Sequence, residues 1–113
     1  MKKGILIDVN NRTVSEVKVG DYTTIYEFVK CETFDVVSIG KSEDVYIDDN
    51  GLLNLNDNSM FFMINRYPQP LAGNGLILGI NLKTGDSVDT KLTVDEVRDM
   101  VTFLTLDEVR KMV

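Results

Sequence analysis

The sequence predicts an α+β domain: a mainly antiparallel sheet with a short helix after the second strand and two short C-terminal helices. Three observations lead there. Short apolar runs alternate with the turn residues Asn10-Asn11, Gly40-Lys41, Asp49-Asn50-Gly51 and Thr84-Gly85, the punctuation of hairpins. Few of the intervening stretches are long enough for a parallel crossover. Helical spacing appears once after the second strand and twice near the C-terminus. A chain of 113 residues reads as one domain that buries a modest core without disulfide or metal. That domain is assigned to 1–104, and 105–113 is set apart as a duplicated helix.

Gly4 to Val9 is the first strand, ended by Asn10-Asn11, which tolerate left-handed φ. Thr13 to Val19 returns as the second; Val17 and Val19 alternate with Glu16 and Lys18, so one face is expected to be buried. Asp21 is an N-cap for a helix over Tyr22 to Val29. Tyr22, Ile25, Tyr26 and Val29 form its apolar face. Thr23, Thr24 and the aromatics give weak intrinsic propensity, so the helix depends on packing against the sheet. Each large apolar side chain buried there contributes about 1.5–3 kcal/mol. Cys31 reads as a small buried apolar residue.

Phe34 to Ile39 is the third strand, Gly40 to Glu43 a turn, and Asp44 to Asp48 the fourth strand, with Val45 and Ile47 opposite Tyr46. Glu43, Asp44, Asp48 and Asp49 read as solvated turn residues. A calcium loop needs alternating oxygen ligands and a terminal bidentate acid, and Asp57 downstream does not fit that spacing. Leu52, Leu53 and Leu55 are expected to pin the asparagine-rich stretch 51–58 to the core. Met60 to Ile64 is either a buried strand or a short helix, which periodicity does not separate. Leu76 to Leu82, apolar on both faces, is a central strand. Lys83 to Asp86 is a hairpin turn, and Ser87 to Thr90 closes the sheet. Thr93 to Val101 then recurs as Thr105 to Val113, each copy opening with a capping box, Thr93 with Glu96 and Thr105 with Glu108. Two short helices joined at Thr102 to Leu104 follow. Two copies are too few for a solenoid, so the pattern reads as duplication of a terminal helix.

The most unusual stretch is Tyr67-Pro68-Gln69-Pro70-Leu71-Ala72-Gly73-Asn74-Gly75-Leu76-Ile77-Leu78-Gly79, which holds both prolines of the chain. The prolines push Tyr67 and Gln69 toward extended geometry, which predicts a stiff arm from Tyr67 to Pro70. Gly73 and Gly75 permit positive φ or close backbone approach, and Asn74 tolerates the same corner. The candidate binding residues are Arg66, Tyr67, Gln69, Leu71 and Asn74. The rival reading is a loop that only covers a sheet edge. The glycines do not form a nucleotide loop: the spacing is Gly73-x-Gly75-x-x-x-Gly79, and it precedes a strand rather than following one.

Composition removes several functions. The net charge of −6 opposes phosphate-backbone binding, so nucleic acid is not an expected partner. The acids are interspersed with basic residues, which argues against DNA mimicry. Cys31 is the single cysteine and there is no histidine. An internal disulfide, a His/Cys zinc site and Ser-His or Cys-His catalysis are therefore excluded within one chain. Paired-carboxylate catalysis is disfavoured because the acids fall in hairpin turns. No cofactor or metal is expected. The apolar runs are too short for a signal peptide or a membrane span. A soluble cytoplasmic protein that is not an enzyme is the expectation.

Gly4 to Asp8, Asp48 to Leu53 and above all the Tyr-Pro-Gln-Pro-Leu-Ala-Gly-x-Gly-Leu stretch resemble a family of small phage- and virus-encoded domains of unknown function. The resemblance covers most of Met1 to Phe103. The family's single terminal helix matches Thr93 to Val101, and the copy at Thr105 to Val113 departs from it. The resemblance implies a viral accessory protein in the host cytoplasm and supplies no catalytic residues. Two functions are carried forward. One is a binding protein that engages a host or phage protein. The other is a sponge for a small nucleotide signal of antiviral defence, in which Tyr67, Gln69 and Asn74 hold a base and Arg66 meets a phosphate. The apolar face of Leu106, Val109, Met112 and Val113 also suits burial between two chains, giving a homo-oligomer.

Overall fold

Glycine-, asparagine- and aspartate-rich turns fold the strand runs back on their neighbours, and the result is α+β. The computed structural model describes residues 1–53 and 55–112. Expectations that fall on Asn54 and Val113 lie outside the described residues. The described elements run β1 (Lys2–Asp8), β2 (Thr13–Val19), α1 (Tyr22–Val29), β3 (Phe34–Ser38), β4 (Glu43–Asp48) and β5 (Met60–Ile64). They continue with β6 (Leu71–Ala72), β7 (Gly75–Ile80), β8 (Ser87–Val88), α2 (Val94–Met100), β9 (Val101–Thr105) and α3 (Leu106–Arg110).

Two sheets result. The large one has the order β2-β1-β7-β4-β3, with β8 also on β7; the small one has the order β6-β5-β9. Every pairing among the described residues is antiparallel. β7 is central, as its two-sided apolarity requires: Ile77 faces the small sheet, whereas Leu76 and Leu78 face α1. The main core lies between the sheets. Ile5, Ile7, Val45 and Ile77 meet Phe62, Ile64 and Leu71 there, and Leu92 and Val97 of the α2 region seal one end. Ile25 and Val29 of α1 cover Val19, Leu76 and Leu78 on the other face of the large sheet. Leu106 of α3 covers Phe61, Ala72 and Leu104 on the outside of the small sheet.

Local signals set the helix ends. The Asp21 carboxylate accepts the Thr23 N–H, and the chain leaves α1 through Lys30 in left-handed geometry. Both capping boxes form, Thr93 with Glu96 and Thr105 with Glu108. The ambiguous run Met60 to Ile64 is a strand, because it pairs with β9 along its whole length.

Five expectations are corrected. The connection Thr102 to Leu104 is not a linker but the middle of β9, whose residues pair with Phe61, Phe62 and Met63. Leu52 and Leu53 do not anchor their stretch to the core: they are 67% and 80% exposed, and Leu55 is 40% exposed. Glu43 is not a solvated turn acid. It opens β4 and is buried, where its carboxylate accepts the Thr90 hydroxyl at 2.7 Å and the Lys91 N–H at 2.9 Å. Charge-assisted bonds of this kind are what make a buried carboxylate tolerable. Positive φ at the first hairpin falls on Arg12, at 53°, rather than on the asparagines. There the Asp8 carboxylate accepts both the Asn10 and the Asn11 N–H at 3.1 Å, so it organises the turn from its first residue. Finally, Tyr22 is 66% exposed, so the buried stripe of α1 is Ile25 and Val29.

Candidate functional site

The proline stretch leaves the core at the end of β5 and returns to it at β7. Arg66 turns the chain with φ of 82°, and the Tyr67 N–H closes that turn on the Ile64 carbonyl at 3.1 Å. Tyr67 is half-buried against the main core. Pro68 and Gln69 are exposed, and the backbone bends at Gln69, so the arm is not straight. Leu71 and Ala72 re-enter the small sheet opposite Phe62 and Phe61. Gly73 takes φ of 83°, where its N–H reaches the Met60 carbonyl at 3.0 Å.

The five candidate residues divide by environment. Gln69 is exposed, and Tyr67 is half-buried. The exposed Arg66 places its guanidinium 3.5 Å from the Ile39 carbonyl, at the turn after β3. Leu71 is buried between the sheets. Asn74 is 3% exposed, and both ends of its amide act as a brace. Its oxygen accepts the Val9 N–H at 3.0 Å, and its nitrogen donates to the Phe28 carbonyl at 3.1 Å. One side chain thus ties the end of β1 to the last turn of α1. The accessible part of the predicted site is Arg66 to Pro70.

That accessible part faces a second loop. At Gly51 a Cβ would lie 3.1 Å from both the Cβ and the carbonyl oxygen of Ala72. This close approach brings the turn after β4 against the proline stretch. The two loops enclose a cleft of about 200 Å³. Tyr67, Pro70 and Leu71 form one wall, while Val37, Ile47 and Leu52 form the other. Asp35, Asp48 and Asp49 line the same cleft. Each carboxylate spends one oxygen locally: on the Val36 N–H, on the Asn50 N–H and, at 3.4 Å, on the Thr33 hydroxyl.

The surface beside Asn74 is more polar. A cleft of about 290 Å³ runs between Gly73 and the stretch before β5, lined by Lys30, Asn10, Asn56, Asn58 and Leu55. A wider depression of about 610 Å³ lies past the end of α1, beside Tyr26 and Cys31. Cys31 is half-buried rather than buried; burial and the nearby Asp48 charge push its thiol pKa up, which suppresses thiolate chemistry. Asp44 is likewise raised, by burial and by the charge of Glu43. Among the described residues no group of three or more His, Cys, Asp or Glu side chains is placed to hold a metal ion. No helix among them is long and apolar enough to cross a membrane.

Reasoning along the chain missed the second loop. Leu52 and Leu53 follow a strong turn, Asp48-Asp49-Asn50-Gly51, with no alternation. A pair of leucines placed where a turn exposes them is the signal that was available.

A family model described as Domain of unknown function (DUF3846) matches residues 1–102. No curated protein and no solved structure matches the chain.

Proposed function

The chain belongs to the DUF3846 family, a domain of unknown function, and on that premise we propose that it is a non-enzymatic binding protein whose target is another protein. The observation that carries this reading is the meeting of two loops. Leu52, largely exposed, stands beside Tyr67 and Pro70 across a shallow cleft, and the next residue, Leu53, is exposed as well. Exposed large apolar groups gathered at one place mark interaction surfaces. A cleft of about 200 Å³ is smaller than the roughly 300–1,000 Å³ of a small-molecule site, and suits a side chain of a partner protein. The prolines reduce the freedom the loop loses on binding, so less ordering entropy opposes the complex. Tyr67 adds a large, low-entropy contact with a polar tip. A phage-encoded accessory protein that engages a host or phage protein in the host cytoplasm, in the service of anti-defence, is the role this surface fits.

The test is photo-cross-linking from inside the loop. A benzophenone amino acid replaces Gln69 in one protein and the exposed Lys83, on a distant hairpin, in another. Each is incubated with lysate of infected host cells. Adducts with a discrete protein are expected from position 69 only, and Tyr67→Ala in the same chain is expected to abolish them. Identical adducts from both positions, or none from 69, would remove the loop from the site.

The cleft beside Asn74 supports a second reading, sequestration of a nucleotide signal, because Lys30 and four asparagines, Asn74 among them, line it. A nucleotide panel read by thermal shift separates the two. A ligand at 100 times its Kd stabilises the fold by about 2.7 kcal/mol, whereas a protein-binding domain gives no shift. Asp35 and Asp49 line the Tyr67 cleft and not the polar one, and their carboxylates would repel a phosphate there, which favours the protein reading.

A further inference from the structure

We propose that the groove between the proline stretch and the Leu52 loop takes an extended partner segment in which arginine or lysine side chains alternate with apolar ones. The proposal rests on the binding-protein reading and adds the chemistry of the partner. Hydrocarbon lines the groove on both sides: Tyr67, Pro70 and Leu71 on one, Leu52, Val37 and Ile47 on the other, the last two packed against the main core. An apolar side chain of the partner is desolvated there.

The charged residues that line the groove are all acidic. Asp35, Asp48 and Asp49 line it, and none of the described residues lining it is basic. Asp48 and Asp49 are consecutive at the end of β4, and the β3–β4 pairing brings Asp35 to the same region. The local bonds already made by each carboxylate hold it in place without exhausting it, since a carboxylate accepts up to about four hydrogen bonds. A guanidinium or ammonium arriving beside the apolar anchor therefore meets fixed acceptors and a negative field. An acidic segment meets repulsion at the same positions. The chain as a whole carries −6, which extends that attraction beyond the groove.

Apolarity and charge also act on one partner strand. A side-chain period of two places apolar and basic groups on opposite faces of an extended segment. One face then reaches the groove while the long basic side chains curl back to the rim. Arginine and lysine suit this because their aliphatic stems lie along apolar surface while the charged head stays at the edge.

The experiment uses the full chain and three fluorescein-labelled nine-residue peptides, alternating Leu with Arg, Leu with Glu, and Gly with Arg. Anisotropy is measured at 150 mM and 500 mM NaCl. Saturable binding is expected for Leu/Arg, with the other two at least ten-fold weaker. Leu52→Ser with Leu53→Ser should weaken Leu/Arg binding about ten-fold. Asp35→Asn with Asp49→Asn should do the same and flatten the salt dependence. Glu16→Gln with Asp86→Asn makes the same change in net charge at exposed positions outside the groove and should leave the affinity within two-fold. Melting curves confirm that each variant is folded. The proposal is overturned if Leu/Glu or Gly/Arg binds as tightly, if the distant pair weakens binding as much as the groove pair, or if no peptide binds saturably. In each of those cases an adduct from position 69 leaves the binding-protein reading standing, and loss of that adduct is what ends it.

Discussion

Asn74 illustrates how a residue that looks available in the sequence is consumed by the fold. Its side chain reaches two backbone groups from two other elements, the buried Val9 N–H and the part-buried Phe28 C=O. Replacing it with alanine removes both bonds and leaves the two groups unpaired. Each orphaned buried group costs about 1–3 kcal/mol, so Asn74→Ala is expected to destabilise the protein by about 2–4 kcal/mol. Urea titration followed by circular dichroism measures this. Asn74→Asp is the informative companion: it keeps an acceptor for the Val9 N–H but sets a carboxylate against the Phe28 carbonyl, and it should be no better than alanine at neutral pH. Glu43 teaches the same lesson with a charge. Nothing in its neighbourhood in the sequence indicates Thr90 or Lys91, yet those partners decide that it is buried.

At the scale of elements, the duplicated C-terminal segment is the instructive case. The two copies share a capping box and differ in surroundings. Val97 of α2 enters the main core, whereas Leu106 of α3 sits on the outer face of the small sheet over Phe61 and Leu104. The strand between them, β9, belongs to the sheet and not to either helix. A chain ending at 104 keeps α2 and all but the last residue of β9. It is expected to unfold in one cooperative step, with stability lower by about 2 kcal/mol for the lost burial of Leu106. Coincident urea transitions by circular dichroism and tyrosine fluorescence check this. Separated transitions, or no transition, would show that the second copy is required for folding.

The whole molecule is held together where its two sheets face each other. Gly75, at the start of β7, lies under the Phe62 ring: a Cβ there would stand 2.6 Å from Cζ of Phe62 and 3.1 Å from a methyl of Val45. Phe62 belongs to the small sheet and Val45 to the large one, so this glycine sets how closely they pack. Gly75→Ala must push the sheets apart or force Phe62 off its rotamer, at about 1–3 kcal/mol. Paired with Phe62→Leu, the same substitution should cost less than the sum of the single changes, because the smaller side chain removes the clash. A double-mutant cycle by thermal melting shows whether the coupling exists; strict additivity would place the strain elsewhere.

Fold class, both capping boxes, the Asp21 cap, the approximate positions of β1, β2, β3, β4, β7 and β8 and the mainly antiparallel pairing were legible in the order of residues, because each follows from groups within a few positions of one another. Asp21 meets Thr23, and Thr105 meets Glu108, whatever the rest of the chain does. The division into two sheets, the recruitment of Thr102 to Leu104 into β9, the burial of Glu43 and the exposure of Leu52 and Leu53 were not legible. Each depends on partners tens of positions away, and hydrophobic period alone does not say which apolar groups find a place in the core. The candidate site divides along the same line. Its proline loop is written in Tyr67 to Pro70, but the opposing wall at Leu52 faces it only once Gly51 and Ala72 are in contact. Local bonding preferences set the pieces of this protein, and long-range packing decided which of their surfaces remained exposed.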